Sequence, residues 1–407
     1  MPLVISGVYL GSGFQDSYKH CRFAISTGSQ LRNTHKWGGN VQFDKTGNRQ
    51  LAIANRQRFM STSNPNNSLP PTSVALVVTS IAGPNEILTT IARGCREHGY
   101  RFIVIGDVPS PKDFKLEGCE FFSLEDQYQT GLKLATLAPT RHYARKNLGY
   151  LLAQRAGAQV ILETDDDNIP EEKFWQARER KQSAQVVSDH GWVNVYRYFS
   201  EAMLWPRGFP LDHVRDDLPP RDSLRTADID CPIQQGLVNE NPDVDAIYRL
   251  VSSLPQSFTA GDSLALAPGS WCPFNSQNTA WWRDAFPLLY LPAYCSFRMT
   301  DIWRSFVAQR IAWANDWSVL FHAPNVWQER NEHNLMRDFR DEVPGYLHNK
   351  LIGDALAKLQ VKAGVERLGE NLLLCYEQLV RMDLIDRREL ELIAAWNEDL
   401  KGDQLCR

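Results

Sequence analysis

The rhythm of apolar and polar positions changes sharply near residue 73. Residues 1–72 are polar, rich in Gly, Asn, Ser and Gln, and lack sustained periodicity. They end in STSNPNNSLPPTS, a linker composition. A peripheral, poorly ordered extension is expected there, and Met60 offers an alternative start just before the linker. From residue 73 the pattern is different. SVALVVTSI (73–81) is a mostly apolar run rich in β-branched residues, as in a strand buried on both faces. GPNEILTTIARGCREHG follows with helical spacing, Asn85 placed to cap its start and Gly99 to end it. YRFIVIGD (100–107) is the next strand. PTRHYARKNLGYLLAQRAGA reads as a helix that Thr140 can cap, with Leu148, Leu151 and Leu152 on its apolar face, and QVILETDDD as a further strand.

Alternating strands and helices with near-continuous apolar strands predict an α/β fold, a parallel sheet covered on both faces. Ligands of such sheets bind beyond the carboxyl ends of the strands. TSI, GD and DDD all fall at those ends, so they are expected to share one crevice. From about 190 to 340 the chain is rich in Trp, Pro and Phe, with shorter strands and a helix around DIWRSFVAQRIAW. From about 345 it reads as helical, and IDRRELELIAAWNEDL opens with a capping-box pattern, Asp386 and Glu389, before Leu390, Ile393 and Ala394. The expected organisation is an extension and linker at 1–72, a catalytic domain at 73–340 and a helical region at 341–407.

Net charge is −4, which gives no basic surface for nucleic acid. No two of the eight cysteines stand in CxxC spacing, so reduced, buried thiols are expected rather than a zinc site. No apolar run approaches the roughly 18 residues of a membrane span, and the N-terminus lacks a basic region and cleavage site. The default expectation is a soluble, cytoplasmic protein, and a homo-oligomer is compatible with it.

The chemistry concentrates in QVILETDDDNIP. Strand alternation puts Asp165 and Asp167 on one side and Asp166 on the other. Two hard oxygen donors suit Mg2+ or Mn2+, which would carry a diphosphate. An acidic turn facing solvent is the alternative. Arg141, Arg145 and Lys146 lie in the first turns of the preceding helix, the wrong end for cations unless an anion docks there. A solvated basic face explains them equally. Thr79, Ser80 and Ile81 end the first strand and Asp107 the second, where they can line a nucleotide site. Arg207 is presented by the rigid loop LWPRGFPLDH, and a structural salt bridge would account for it as well. Asp301 starts a helix, where capping alone would explain it. His322 and His333 flank HAPNVWQERNEH, and either could complete a metal shell.

Five segments taken in order, YARKNLGYLLAQRAGAQVILETDDDN, LWPRGFPL, IQQGLVNENPDVDAIYRL, APGSWCPFNSQNTAWW and MTDIWRSFVAQRIAW, resemble the STELLO family, formerly the DUF288 domain. That family is in turn similar to the reversibly glycosylated polypeptides, which are UDP-arabinopyranose mutases. The resemblance runs from about residue 73 to 334. It implies a GT-A fold, a UDP-sugar donor with Mn2+ or Mg2+, and an unidentified glycan, protein or small-molecule acceptor. It matches Asp165, Asp166 and Asp167 to the acidic motif, Arg207 to the arginine of an RGYP-like loop, and Asp301 with Trp303 to a DDMW-like motif. Two departures stand out: Ser200 replaces the sugar-carrying arginine of the mutases, and Gln328 replaces a histidine.

The expectation is therefore a metal-dependent GT-A glycosyltransferase. Asp165 and Asp167 would hold the metal, with His333 as third ligand, alternatives being His322 or water. Thr79, Ser80, Ile81, Asp107 and Asp166 would line the nucleotide site. Arg145 and Lys146 would approach the diphosphate, and Arg207 and Asp301 would serve the sugar or acceptor. A sugar-nucleotide mutase or self-glycosylating protein is the second reading, and a non-catalytic scaffold the third.

Overall fold

The computed structural model describes residues 73–329 and 334–402. The extension and linker at 1–72, and His333, lie outside the described residues. The first half of the described chain runs β1 (Val74–Thr79), α1 (Glu86–His98), β2 (Arg101–Ile105), β3 (Glu120–Phe122), α2 (Leu124–Gln129), α3 (Lys133–Leu137), α4 (Lys146–Arg155) and β4 (Val160–Thr164). Next come β5 (Asn168–Pro170), β6 (Lys181–Val187), β7 (Gly191–Trp192), β8 (Arg225–Asp230), β9 (Ile233–Asn239), α5 (Ala246–Val251), β10 (Leu264–Leu266), β11 (Ser270–Trp271) and β12 (Asn278–Trp282). They are followed by α6 (Thr300–Trp313), β13 (Val319–Gln328), α7 (Leu335–Ala357), α8 (Leu368–Arg381) and α9 (Glu389–Gly402).

The main sheet has the order β3-β2-β1-β4-β12-β9-β13-β10-β6-β8, with β5 paired to β13. β3, β2, β1 and β4 are parallel neighbours, and β12 then runs antiparallel between β4 and β9. This is the mixed, helix-flanked sheet expected of a GT-A chain. Both faces of its parallel part are covered, which is why the strands read as unbroken apolar runs. Leu76, Val78, Phe102 and Val104 pack with Leu88 and Ile91 of α1 on one face. Val77, Ile103 and Ile105 meet Leu148 and Leu151 of α4 on the other. α4 approaches closely because residue 149 is Gly: a Cβ there would lie 2.5 Å from Cγ1 of Val77.

Local signals were kept where they act within one turn. Asn85 caps α1, accepting from the Leu88 N–H, and Gly99 ends it at φ +69°. Thr140 does not cap α4. A 3-10 turn, Tyr143–Arg145, comes first, and His142 caps it by accepting the Ala144 N–H on Nδ1. The capping box of α9 is also absent. Glu389 turns inward instead, and its buried carboxylate accepts from the Tyr290 O–H and the backbone N–H groups of Ala293 and Tyr294. The tertiary acceptor role wins because three buried donors need a partner. The buried face of α9 is Leu392, Ile393, Ala395 and Trp396, with Ala394 exposed.

β13 is irregular at one place. Its pairing with β9 runs His322 to Gly236 and then Val326 to Val238, four steps on β13 against two on β9. The surplus holds Pro324, which has no N–H for the ladder and is tolerated in an inner strand only at such a bulge. Among the described residues, no helix is long and apolar enough to cross a membrane.

Candidate functional site

The carboxyl ends of β1, β2 and β4 open into two contiguous cavities. The larger, about 430 Å3, is lined by the three aspartates together with Arg207, Asp243, Asp301 and Gln328. The smaller, about 270 Å3, is lined by residues that include Ser80, Gly106, Asp107, Arg141 and His142. Thr79, Ile81, Tyr143, Asp166 and Phe297 border both.

The acidic run is a turn and not a strand, which corrects the alternation argument. β4 stops at Thr164, and the Asn168 N–H donates back to the Asp165 carbonyl at 3.3 Å. The backbone therefore curls, and all three carboxyl groups reach the same cavity. Each is tied to a different element. Lys146 donates to Asp165 at 3.1 Å, Ser80 to Asp166 at 2.5 Å, and Gln328 to Asp167 at 2.9 Å. The α1 cap residue Asn85 also donates to the Asp166 carbonyl at 3.0 Å, so the helix start and the turn are one unit. Asp165 keeps 40% of its side-chain surface open, yet it sits deep enough that burial raises its pKa. Lys146 opposes that rise, while Asp166 and Asp301 add to it.

Arg145 and Lys146 are not free for a diphosphate, contrary to expectation. The 3-10 entry to α4 turns Arg145 inward, where its guanidinium donates to Gln127 and to the carbonyls of Ala138 and Ala135. Lys146 is buried and donates to the carbonyls of Thr164 and Ser276 as well as to Asp165. These cations hold the crevice wall and the acidic turn in place. Arg141, at φ +58°, remains exposed on the smaller cavity.

Arg207 is clamped between two carboxylates. Nε and Nη2 donate to Asp243, both at 2.8 Å, and Nη1 and Nη2 donate to Asp301 at 3.0 and 2.9 Å. All three side chains are at most 11% exposed. Burial would raise the pKa of both acids, but the guanidinium outweighs it and holds both below the usual carboxylate range. Two hydrogen bonds tie Asp301 to the guanidinium, which makes it one of the two anchors of the clamp. It also accepts the Ser276 N–H at 3.2 Å. Trp303 lies in the core and donates to Asn349 at 2.9 Å.

The smaller cavity is more apolar. Ile81 and Phe297 are 60% and 49% exposed, so two large apolar side chains face its opening. Phe297 meets the rings of His142 and Tyr143 edge-on. Burial lowers the His142 pKa to about 4 despite Asp107, so this imidazole is neutral at pH 7. Asp107 accepts the backbone N–H groups of Val108 and His142, which fixes the cavity rim. His322 is not part of this site. It lines a separate cavity and is paired with Ser263 and Gln234.

Five carboxylates line the larger cavity against two arginines, and one of those is shared by two of the acids. A diphosphate would meet net repulsion there without a cation. The donors are hard oxygens, the chemistry of Mg2+ or Mn2+. Among the described residues, no three acidic, His or Cys groups converge as a ready-made cage. The set fits an ion held by one or two carboxylates and completed by substrate phosphates, as Mg2+ commonly is.

A family model described as STELLO glycosyltransferases matches residues 298–405, which include Asp301 and α6. Probable glycosyltransferase STELLO2 of Arabidopsis thaliana is 27% identical over 353 residues, covering 80% of this chain and 44% of that protein. Probable glycosyltransferase STELLO1 of Arabidopsis thaliana is 29% identical over 270 residues, covering 62% and 35%. The chain is STELLO-like. It spans less than half the length of these relatives. Two solved structures align at low similarity. A mycobacterial protein has a TM-score of 0.35 and 10% identity, covering 68% of this chain and 74% of its own. M. tuberculosis glucosyl-3-phosphoglycerate synthase has 0.33 and 11%, covering 68% and 80%.

Asp243 and Tyr143 of the candidate site had no separate signal in the chain, and Gln328 was marked only as the replacement of a histidine. Asp243 lies 36 positions from Arg207. Gln328 reaches Asp167 only because β5 pairs antiparallel with the end of β13. Tyr143 sits under the clamp, its hydroxyl accepting the Asp301 N–H at 3.1 Å.

Proposed function

We propose that this STELLO-like chain is a metal-dependent glycosyltransferase using a nucleotide-sugar donor, with UDP-sugars as the first class to test. One observation carries the reading. An acidic turn at the end of β4 and a clamped arginine line one cavity, and that cavity is continuous with an apolar-rimmed one at the ends of β1 and β2. The smaller cavity suits a nucleoside, bounded by Ile81, Phe297 and neutral His142. The larger suits the sugar and diphosphate.

Asp165 and Asp167 are the proposed metal-holding residues: both line the larger cavity, and Lys146 and Gln328 brace their carboxylates there. The ion, when bound, would neutralise charge developing on the leaving diphosphate. In the transfer, the bond from the anomeric carbon to the diphosphate oxygen breaks and one to an acceptor hydroxyl oxygen forms. The hydroxyl proton leaves to the diphosphate or solvent. Lys146 and Gln328 hold the turn so that its carboxylates need not reorganise. Arg207, ionised and fixed between Asp243 and Asp301, forms the rigid wall on the sugar side. That engagement also weighs against Arg207 as a covalent sugar carrier, and so against the self-glycosylating reading.

The test is release of nucleoside diphosphate from a panel of nucleotide-sugars, with and without Mn2+, beside Asp165→Asn and Asp167→Asn. Metal-dependent turnover of one donor, abolished in both variants, is the expected result. Donor turnover in both variants equal to that of wild type would overturn the acidic-turn reading. Neither binding nor turnover of any donor would favour a non-catalytic scaffold.

A further inference from the structure

Away from the crevice, Arg178 follows the 3-10 turn Glu172–Trp175 and leads into β6. Both terminal nitrogens of its guanidinium are shielded from solvent and have no hydrogen-bond partner. Arg178 as a whole is half-buried, its two terminal nitrogens being the shielded part, whereas the fully buried Arg145 is engaged by carbonyls, Arg207 by two aspartates and Arg304 by Glu163. Arg178 has the Phe174 ring face at 5.9 Å, and burial pulls its pKa down to about 10. A guanidinium taken out of water without a counter-charge is strongly unfavourable, and a fold keeps one where something pairs with it.

Arg178 lies in the wall shared by two cavities. One, about 530 Å3, carries Lys173, Ser263, His322 and Asn325, with the exposed Glu179 on its rim. The other, about 350 Å3, is walled by Tyr100, Phe174 and Trp282. The donors of the first are not all spent. Gln234 turns both amide N–H groups to backbone carbonyls, so its Oε1 accepts from His322 Nε2. His322 Nδ1 then accepts from Ser263. Asn325, 5% exposed, accepts from Asn278 on Oδ1 at 2.6 Å, which leaves its amide N–H groups as donors on the same cavity. Gln176 and Ala177, both exposed, border both cavities beside Arg178, so access requires only that surface segment to shift.

We propose that this pair of cavities is a second, anion-binding site, in which Arg178 and Asn325 receive a small oxyanion, a carboxylate or a phosphate. The guanidinium fork matches two oxygens of either group. The site lies along the segment that leaves the acidic turn through β5, and the Glu171 N–H donates to the Asn325 carbonyl at 2.9 Å. It does not depend on the transferase reading.

The test is thermal unfolding of the full chain in phosphate, in citrate, and in sodium chloride of matched ionic strength. Wild type and Asp165→Asn are expected to gain about 2 °C or more in at least one oxyanion over chloride. Arg178→Met should lose that increment while melting no lower than wild type in chloride, since no partner is stranded. Arg178→Lys should keep less than half of it. A response to phosphate alone would identify a phosphate site, and a response to both a general oxyanion site. No oxyanion-specific gain in wild type, or a gain preserved in Arg178→Met, would overturn the site. So would a large loss of stability of Arg178→Met in chloride, which would make the guanidinium a packing element. If Arg178→Met does not fold, a full increment in Arg178→Lys overturns the proposal.

Discussion

Removing the cation of the clamp should be worse than removing either acid. In Arg207→Met, Asp243 and Asp301 are left facing one another at 11% and 5% exposure. Breaking a buried pair typically costs about 3–5 kcal/mol, because the surviving charge stays buried. Here one cation serves two charges, so the upper part of that range applies. At about 2 °C per kcal/mol for a domain of this size, the melting temperature at pH 8 should fall by about 8–10 °C. The pH dependence follows from the direction of the shifts. In the native chain both acids are held below their unfolded value. Their contribution is therefore fully present above about pH 4 and is lost only as pH falls through the depressed folded values, so it is flat between pH 8 and 5. In the variant, burial and mutual repulsion are opposed only by the smaller effects of Arg298 and Asn275 on Asp243 and of Arg304 on Asp301, and lift the folded values above the unfolded one. The folded variant then binds protons more readily than its unfolded chain, and it gains stability as pH falls. The deficit should shrink from pH 8 to 5 by about 1.4 kcal/mol for each unit of upward shift that the window covers. Adding Asp301→Asn to Arg207→Met should recover part of the loss, a non-additivity expected of contacting groups. Calorimetry of the three proteins at both pH values reads this out. A loss under about 1 kcal/mol, an equal loss at both pH values, or a double variant worse than the single would refute the reasoning.

Two further perturbations probe the same architecture. Lys146→Met removes the donor shared by two buried carbonyls and Asp165. It should cost about 2–4 kcal/mol and raise the Asp165 pKa further, and an unmoved carboxyl titration by NMR would count against Lys146 as the restraint on the turn. Gly208→Ala tests the loop that presents Arg207. Residue 208 has φ +86°, and a Cβ there would lie 2.3 Å from Cγ2 of Ile302. Strain and overpacking together should cost about 2–4 kcal/mol, and an unchanged urea midpoint would show that the loop relaxes freely.

The parts of this fold that read directly from the chain are those whose cause is local. β1, α1, β2 and β4 follow from unbroken apolar runs, one Asn cap and one Gly stop, and the gathering of TSI, GD and DDD follows from parallel connectivity. The site itself was legible in outline only. Asp165 and Arg207 could be picked out because acids at a strand end and an arginine between prolines are locally odd. What holds them was not, because Asp243, Ser276 and Gln328 arrive from strands and loops that meet only in the folded sheet. Alternation failed at Asp165 because it holds only while the backbone stays extended, and β4 ends one residue earlier. Glu389 misled for a similar reason: a capping pattern is a local offer, and three buried donors elsewhere outbid it.

The bulge in β13 has a consequence for insertions and deletions. A strand resets which side its residues face with each single step, so a surplus of two preserves parity and a surplus of one reverses it. Val326, Trp327 and Gln328 lie downstream of that surplus and pair with β5. Excising Ala323 and Pro324 together would shorten the strand while returning Gln328 to the side that faces Asp167. Excising either one alone would turn Gln328 away and bring Trp327 toward the acidic turn. Lineages of this fold should therefore tolerate length changes here in pairs, and an odd change should coincide with a new partner for residue 167.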